Sequence, residues 1–578
     1  MFRRLAALAG VGLFALAVPV GGAIGLDLTY IDTGSPAWQR FVAWVDQALD
    51  GTPPYGFTAT DAVYVYRVTD DPVYAQLAID TVEEQVTAAE AAISLGQAPP
   101  VAGDQYLESG PFIHDVALVR AWCFDLLTPT QRQRWAAYAE QTVWNIWHHQ
   151  TASWGGVPHP WPGWGTDDPG NNYYFSFLEA TMYWALASEN PVWMDLLEDE
   201  KLPPLVAYFA ALPGGGTREG TGYGVAIMRV FELYRLWRDS TGSDLGAASS
   251  HLTDTIDYWI HATVPTFDRY APVGDLARES YPWLYDYHRR LVLEARAVST
   301  SAAARARAAW WLDRISIGEM TGGFNYRHDL LPASGAQQAP GAYFHRATGA
   351  GHLFARTDWS AEAVWMSLVA GTFDQSHAHQ DQGAFNLFRG DFLAVTENVF
   401  SHSGIVQESE HHNLVRFVRA GATLPQRRDT TSTMTAGRVG GRLRVDADLS
   451  PAWQPVDGVH AWTRRLWLDG NGLLVLDQFD VDGDVEAVFQ VNVPVEPVIA
   501  GGVASAGDLT VVPILPADAV LSVVDWQAVD PSEYTGGGFK IEIRGSGDRF
   551  AVRLQLPHVL FVDGFETGGI EAWELGTR

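Results

Sequence analysis

A chain of 578 residues that is 47% hydrophobic can bury more than one core, and at roughly 100–200 residues per domain it should hold two or three domains. Its formal net charge of -30 excludes nucleic acid as a partner, because phosphate binding needs a basic surface. Cys123, the single cysteine, excludes a disulfide framework within the chain, and in "LVRAWCFDLL" it reads as a buried helical thiol.

The chain opens on "MFRRLAALAGVGLFALAVPVGGAIG", in which Arg3 and Arg4 precede a short apolar run ending in small residues around Gly22 to Gly25. This is the pattern of a secretory signal over residues 1–25. The run is short for a membrane span of ~20 residues, and no later apolar segment of that length lacks charge, so a soluble, exported chain, secreted or periplasmic, is expected.

The first half reads as helical. Ser35 and Pro36 cap "SPAWQRFVAWVDQALDG", which spaces Trp38, Phe41, Val42 and Val45 at helical intervals. Asp71-Pro72, Thr128-Pro129 and Asn190-Pro191 repeat the device ahead of further amphipathic runs. "VAIMRVFELYRLWRDS", "HLTDTIDYWIHATV" and "AAARARAAWWLDRI" continue the series. So many helices in sequence, separated by Gly- and Trp-rich loops, suit an array of helical hairpins over residues 26–335. "LPASGAQQAPGAY" then reads as a linker.

Past residue 340 the pattern becomes short β-rich runs, among them "AVWMSLVAG", "RLRVDADL", "EAVFQVNV" and "FKIEIRGSGDRFAVRLQL". Asp469 to Gly472 and Gly545 to Asp548 read as hairpin turns. Strands at this density, with few helices between them, predict an antiparallel β-sandwich over 340–562. Residues 563–578 read as a C-terminal tail.

Three polar segments stand out on this scaffold. In "SHAHQDQGAFNLFRGDFLAVTENVF", alternation along a strand would put His377, His379 and Asp381 on one face. Glu397 follows the strand-like "DFLAV", and His411, His412 and Asn413 precede another strand. A histidine, a carboxylate and a second histidine from neighbouring strands form a set of borderline ligands suited to zinc. In the helical half, Asn171, Asn172, Tyr173 and Tyr174 run into a helix. Arg218, Glu219 and Tyr223 lie in the glycine-rich "PGGGTREGTGYG" before another, a setting that suits a ligand.

From "NNYY" through "REGTGYG", "HLFARTDWSAEAVWMSLVAG" and "SHAHQDQGAFNLF" to "HHNLVRF", the sequence resembles the heparinase II/III-like polysaccharide lyases in one continuous order. The resemblance implies an N-terminal (α/α) toroid, a C-terminal antiparallel β-sandwich and β-elimination on a uronate-containing polysaccharide. It further implies that Asn172 binds the uronate carboxylate, that Tyr223 and His377 are catalytic, and that His379 and His412 hold a structural zinc. Two positions depart from the family pattern. Thr396 and Glu397 span the place of the usual aspartate ligand, making Glu397 the substitute third ligand, and Tyr173 stands where many members have a histidine.

The chemistry suits these side chains. A neutral donor such as Asn172 lets charge spread into the uronate carboxylate as the weakly acidic C5 proton leaves. Tyr223 can protonate the departing O4. Asn171, Tyr173, Arg218, Glu219 and Arg416 are the remaining candidates for substrate binding, with Arg278, Arg346 and Arg356 as further cations for the anionic polymer. Two rival readings are a glycoside hydrolase using Glu219 with Asp115 or Asp275, and a carbohydrate-binding relative without activity.

Overall fold

The computed structural model describes residues 24–276, 280–453 and 457–557, so nearly all of the expected signal segment, Arg278 and the C-terminal tail lie outside the described residues. An N-terminal helical region is followed by antiparallel β-sheets, the fold class expected from the sequence. Contacts divide the chain into two compact units. The first comprises 24–29, Arg40–Pro204 and Leu236–Ser243; the second comprises Tyr30–Gln39, Leu205–Arg235 and the described residues from Asp244 onward. The division does not follow the change from helix to strand, because the helices after residue 244 cluster with the sheets.

In the first unit the capping residues act as their types require. Asp71 accepts from the Val73 amide at 3.1 Å ahead of helix Pro72–Ser94. Thr128 and Gln131 form a reciprocal capping box at the start of helix Pro129–Trp147. Asn190 accepts from Val192 at 3.0 Å. Helices Ser109–Trp122 and Asn172–Ser188 are buried along most of their length and are the core of this unit. Cys123 is buried at the end of the first of these, with its thiol pushed up to about 12 by burial, an inert group as expected. Among the described residues no helix is long and apolar enough to cross a membrane.

The second unit holds helices His251–Ala262, Asp286–Val298 and Ala302–Leu312 and three large antiparallel sheets. One is a five-stranded meander from Phe344–Ala347 to Asp391–Ala394. This meander, an eight-stranded sheet and a second five-stranded sheet share a core that includes Leu353, Leu387, Phe417, Trp462, Phe489, Ile541 and Val552. The turn Asp469 to Gly472 joins paired strands Val459–Asp469 and Gly472–Val481, as its sequence indicates.

The segment Gly545 to Asp548 is different. Strand Phe539–Arg544 pairs with Val485–Val493 and Val520–Asp525, whereas Arg549–Gln555 pairs with Gly472–Val481 and Leu509–Leu515, so this turn carries the chain from one sheet to another. Ile541, Ile543, Phe550, Val552 and Leu554 are all buried, and passing between sheets lets both strands turn an apolar face inward.

One buried ion pair ties the eight-stranded sheet to the loops above it. Arg464 and Asp477 have fully buried side chains and meet through two bonds of 2.8 and 2.9 Å, and Trp462 Nε1 also donates to Asp477. The remaining guanidinium nitrogen donates to the carbonyls of Gly383 (2.6 Å) and Asn413 (3.3 Å), which follow His379 and His412 in the chain. Asp477→Ala, which leaves Arg464 buried and unpaired, is expected to destabilise the protein by ~3–5 kcal/mol. Replacing both residues by Leu and Met should restore most of that loss in chemical denaturation; equal destabilisation by the single and double variants would contradict it.

Candidate active site

Three loops of the second unit converge through their backbones. The Thr221 amide donates to Val273 O (2.9 Å), the Tyr223 amide to Asp275 O (3.3 Å) and the Asp275 amide to His377 O (2.9 Å). Two glycines permit the approach. Gly220 (φ +94°) and Gly274 (φ +72°) are left-handed, and a Cβ on either would collide with the backbone of the facing loop.

On this frame the Tyr223 and His377 rings stack with centroids 3.7 Å apart and planes 9° apart. His377 Nδ1 lies 2.7 Å from Asp275 Oδ2, and His379 Nε2 lies 2.8 Å from Oδ1 of the same carboxylate. Gln407 Nε2 donates to both carboxylate oxygens and to Ser376 O. Burial works to raise the Asp275 carboxyl, but the hydrogen bonds from His377 and His379 outweigh it and hold it below the usual carboxylate range. An ionised Asp275 can only accept, so the proton of a neutral His377 sits on Nδ1 and Nε2 carries the lone pair. The His377 side chain is 25% exposed against 1% for His379, so His377 is the one that reaches solvent.

The segment 376–384 is a loop, and the strand begins only at Phe385. The expected alternation of His377, His379 and Asp381 on one strand face is therefore corrected. The backbone groups a strand would use are taken by Asp275 and by Gln407 O, which accepts from the Gln380 amide.

The proposed zinc set is also corrected. His379 Nδ1 and His412 Nε2 face each other at 3.2 Å, but the other nitrogen of His412 meets Thr396 Oγ1 at 3.0 Å. Glu397 belongs to a different group. It opens the turn Glu397–Phe400 and its carboxyl points at Gly538, where any Cβ would collide with it. Both its oxygens are buried without a hydrogen-bond partner among the described residues, and burial pushes it up to about 10 against the opposing pull of Lys540. Among the described residues Glu397 does not come within metal-binding distance of both imidazoles. Burial and the neighbouring His379 hold His412 well below the usual histidine range. A proton shared between the imidazoles satisfies the pair without an ion.

Among the described residues another group brings three possible ligand residues together. Glu232, Glu294 and His328 are buried with donor atoms within 4.8 Å of one another and could hold a metal by distance. Arg235 grips Glu294 with two nitrogens and Arg290 bonds Glu232 at 2.7 Å, so both carboxylates already have cationic partners.

The substrate-binding candidates divide. Asn171 is buried as the N-cap of helix Asn172–Ser188, accepting from the Tyr173 amide at 2.9 Å, a structural role in place of the expected binding one. Asn172, at the first helical position, is half-buried, and its carboxamide has no hydrogen-bond partner among the described residues. Tyr173 donates to Asp104 Oδ1 at 3.0 Å.

Arg218 is bound to Asp374 (2.7 Å) and to Gly349 O (3.2 Å), and Glu219 is buried. Arg416 is buried against Gln490 (3.0 Å) and Glu542 (2.6 Å). Arg346 donates to Met434 O. Arg356 caps the carbonyl end of helix His251–Ala262 through Ile260, His261 and Thr263, with burial pushing it down to about 9. Arg356 and Arg416 are buried and Arg218 is half-buried, whereas Arg346 is exposed.

Sequence reasoning drafted Asp275 only for hydrolysis and missed Gln407. The signal available for Asp275 was its position after Gly274 in "APVGDLA", a glycine-led loop carrying a carboxylate.

The helical region followed by antiparallel sheets is the heparinase II/III-like lyase fold. Heparan sulfate lyase HepC from Pedobacter heparinus superposes with a TM-score of 0.56 at 14% identity, over 91% of this chain and 84% of that one. A heparinase III matches with a TM-score of 0.57 at 13% identity, over 86% and 76% of the two chains. The Streptomyces coelicolor A3 chondroitin AC lyase in complex with chondroitin sulphate matches with a TM-score of 0.51 at 13% identity, over 92% and 81%. No family model matches the sequence. No curated protein matches it.

Glu397 offers a test of the corrected metal assignment. Its folded pKa lies above the unfolded value of ~4.3, so its stabilising contribution is complete below that value and is lost as pH rises toward 10. Glu397→Gln should leave Tm nearly unchanged at pH 4.5 and raise it at pH 8, where burial holds the native carboxyl protonated at a cost the amide does not carry. A fall in Tm at pH 8 together with loss of bound zinc would restore Glu397 as a ligand.

Proposed function

We propose that this protein is a polysaccharide lyase that cleaves a uronic-acid-containing polysaccharide by β-elimination, leaving an unsaturated uronide end. The observation that carries the reading is the Tyr223–His377 stack, with Asp275 fixing the histidine so that Nε2 is basic. A base and a phenolic acid held side by side are what elimination across adjacent carbons asks for.

His377 Nε2 takes the C5 proton, and the C5–H electrons form the C4=C5 double bond as the C4–O4 bond breaks. The Tyr223 phenol gives its proton to the departing O4. The resulting imidazolium and phenolate return to their starting forms by passing one proton back. The family resemblance gives Asn172 the role of donating to the uronate carboxylate while charge accumulates on it. Asp275 is a positioning residue, keeping His377 in one tautomer and favouring the imidazolium that forms. No step passes through a metal. The N-terminal basic and apolar run supports export of the chain.

The hydrolase alternative loses its carboxylates to other partners. Asp115 accepts from the amide and hydroxyl of Thr60, Asp275 is bound to two histidines, and Glu219 is buried. Two carboxylates poised around a glycosidic bond are missing from this set.

The direct test is a panel of uronate polymers followed by ultraviolet absorbance for the unsaturated product. A rise supports the lyase, reducing ends without absorbance support a hydrolase, and binding without either supports a carbohydrate-binding relative. Tyr223→Phe should lower kcat by ~10²–10⁴ with little change in substrate binding. Asp275→Asn should lower kcat more than it raises KM and displace the acidic limb of the pH profile. Near-full activity in Tyr223→Phe would refute the mechanism.

A further inference from the structure

Next to Asn172 the first unit displays an unusual turn. Asp104 (φ 42°, ψ 51°), Gln105 (φ 52°, ψ 41°) and Tyr106 (φ 66°) are three successive non-glycine residues in the left-handed region. The turn is pinned at both ends. Trp154 Nε1 donates to the buried Tyr106 hydroxyl at 3.1 Å, and the exposed Asp104 carboxylate accepts from Tyr173 OH at 3.0 Å. A carboxylate is thereby presented beside the residue that follows Asn172.

The surrounding sequence supplies no counter-charge. No lysine or arginine occurs between Arg67 and Arg120 or between Arg134 and Lys201, while these stretches contain Asp104, Glu108, Asp167 and Asp168. The bordering cations are engaged. Arg120 is buried on Ala187 O, Arg134 is held by Glu83 and Glu90, and Lys201 lies 4.3 Å over Trp147. In the second unit Arg218, Arg356 and Arg416 have the internal partners described above, and Arg346 is exposed while donating to Met434 O. Arg428, beside the Arg218–Asp374 pair, is exposed while donating to Asp374 O.

A sulfated polymer carries several negative charges per repeat and needs a matching set of guanidinium or ammonium groups to leave water. Around Asn172 it would meet carboxylates. A chain with one carboxylate per repeat and otherwise neutral hydroxyls meets the neutral Asn172 carboxamide and the exposed face of Trp164 instead.

We infer that the substrate is an unsulfated, low-charge-density uronate polymer, and that Asp104, held by Tyr173, is the residue that discriminates against sulfated units. The inference rests on the lyase reading for the role of Asn172. It differs in substrate class from what the names of the matched heparan sulfate and chondroitin lyases suggest.

The test uses matched pairs: heparin with its chemically desulfated, N-acetylated form, and chondroitin sulfate with unsulfated chondroitin, beside hyaluronan and alginate. Initial rates are read by absorbance, and binding by retardation of the Tyr223→Phe protein in gels containing each polymer. The expected result is at least a tenfold higher kcat/KM on the unsulfated member of a processed pair, with little change in KM between low and physiological salt. Asp104→Asn keeps an acceptor for Tyr173 OH, and it should narrow the gap through KM on the sulfated member without lowering kcat on the unsulfated one.

Equal or faster cleavage of the sulfated member, or an unchanged ratio in Asp104→Asn, overturns the inference and leaves the lyase reading standing. Selective retardation by unsulfated polymers without absorbance change supports the inference and overturns the lyase reading. Absence of both cleavage and retardation on every polymer overturns both.

Discussion

The site depends on one carboxylate shared between two imidazoles. Asp275 gives one oxygen to His377 and the other to His379, while its backbone amide and carbonyl bind His377 O and the Tyr223 amide. A single residue thus fixes a ring orientation, a tautomer and the separation of three loops. A buried carboxylate with fewer partners would be neutralised by desolvation; here two histidines and Gln407 keep it ionised. On the proposed lyase reading, the base is placed by interactions that never touch substrate.

Much of the architecture was legible because local chemistry and global fold agree in the elements concerned. Asp71-Pro72 and Thr128-Pro129 cap helices as such pairs do, and the strands after residue 340 carry the alternation of half-buried sheets. The failures share a cause. Asp275 lies 102 residues from His377, so no local pattern could join them. Thr396 and Glu397 are neighbours in sequence, yet the turn they open sends one toward His412 and the other toward Gly538. Gly545 to Asp548 has hairpin chemistry, but inward packing of both flanking strands places them in different sheets. Tertiary packing decided where local preference was indifferent.

The arginines show how a strongly acidic protein distributes its few cations. Arg464, Arg416 and Arg356 are buried against a carboxylate, an amide and carboxylate, and helix-end carbonyls respectively. Each replaces water that its neighbours would otherwise require, and each breaks rigidly if its partner is removed. Sequence alone presents these residues as candidates for an anionic ligand because charge is visible and partnership is not. On the proposed lyase reading, their burial directs attention to neutral groups, Asn172 among them, for recognition of a sugar.

The stack of Tyr223 on His377 also gives the site a built-in magnetic reporter. An aromatic ring 3.7 Å away and nearly parallel places the imidazole ring protons in its shielding region, so their resonances should be displaced upfield from those of an isolated histidine. A sugar that wedges the rings apart would relax the displacement, and one that binds over their shared edge would preserve it. Occupancy of the site and opening of the stack can therefore be followed separately.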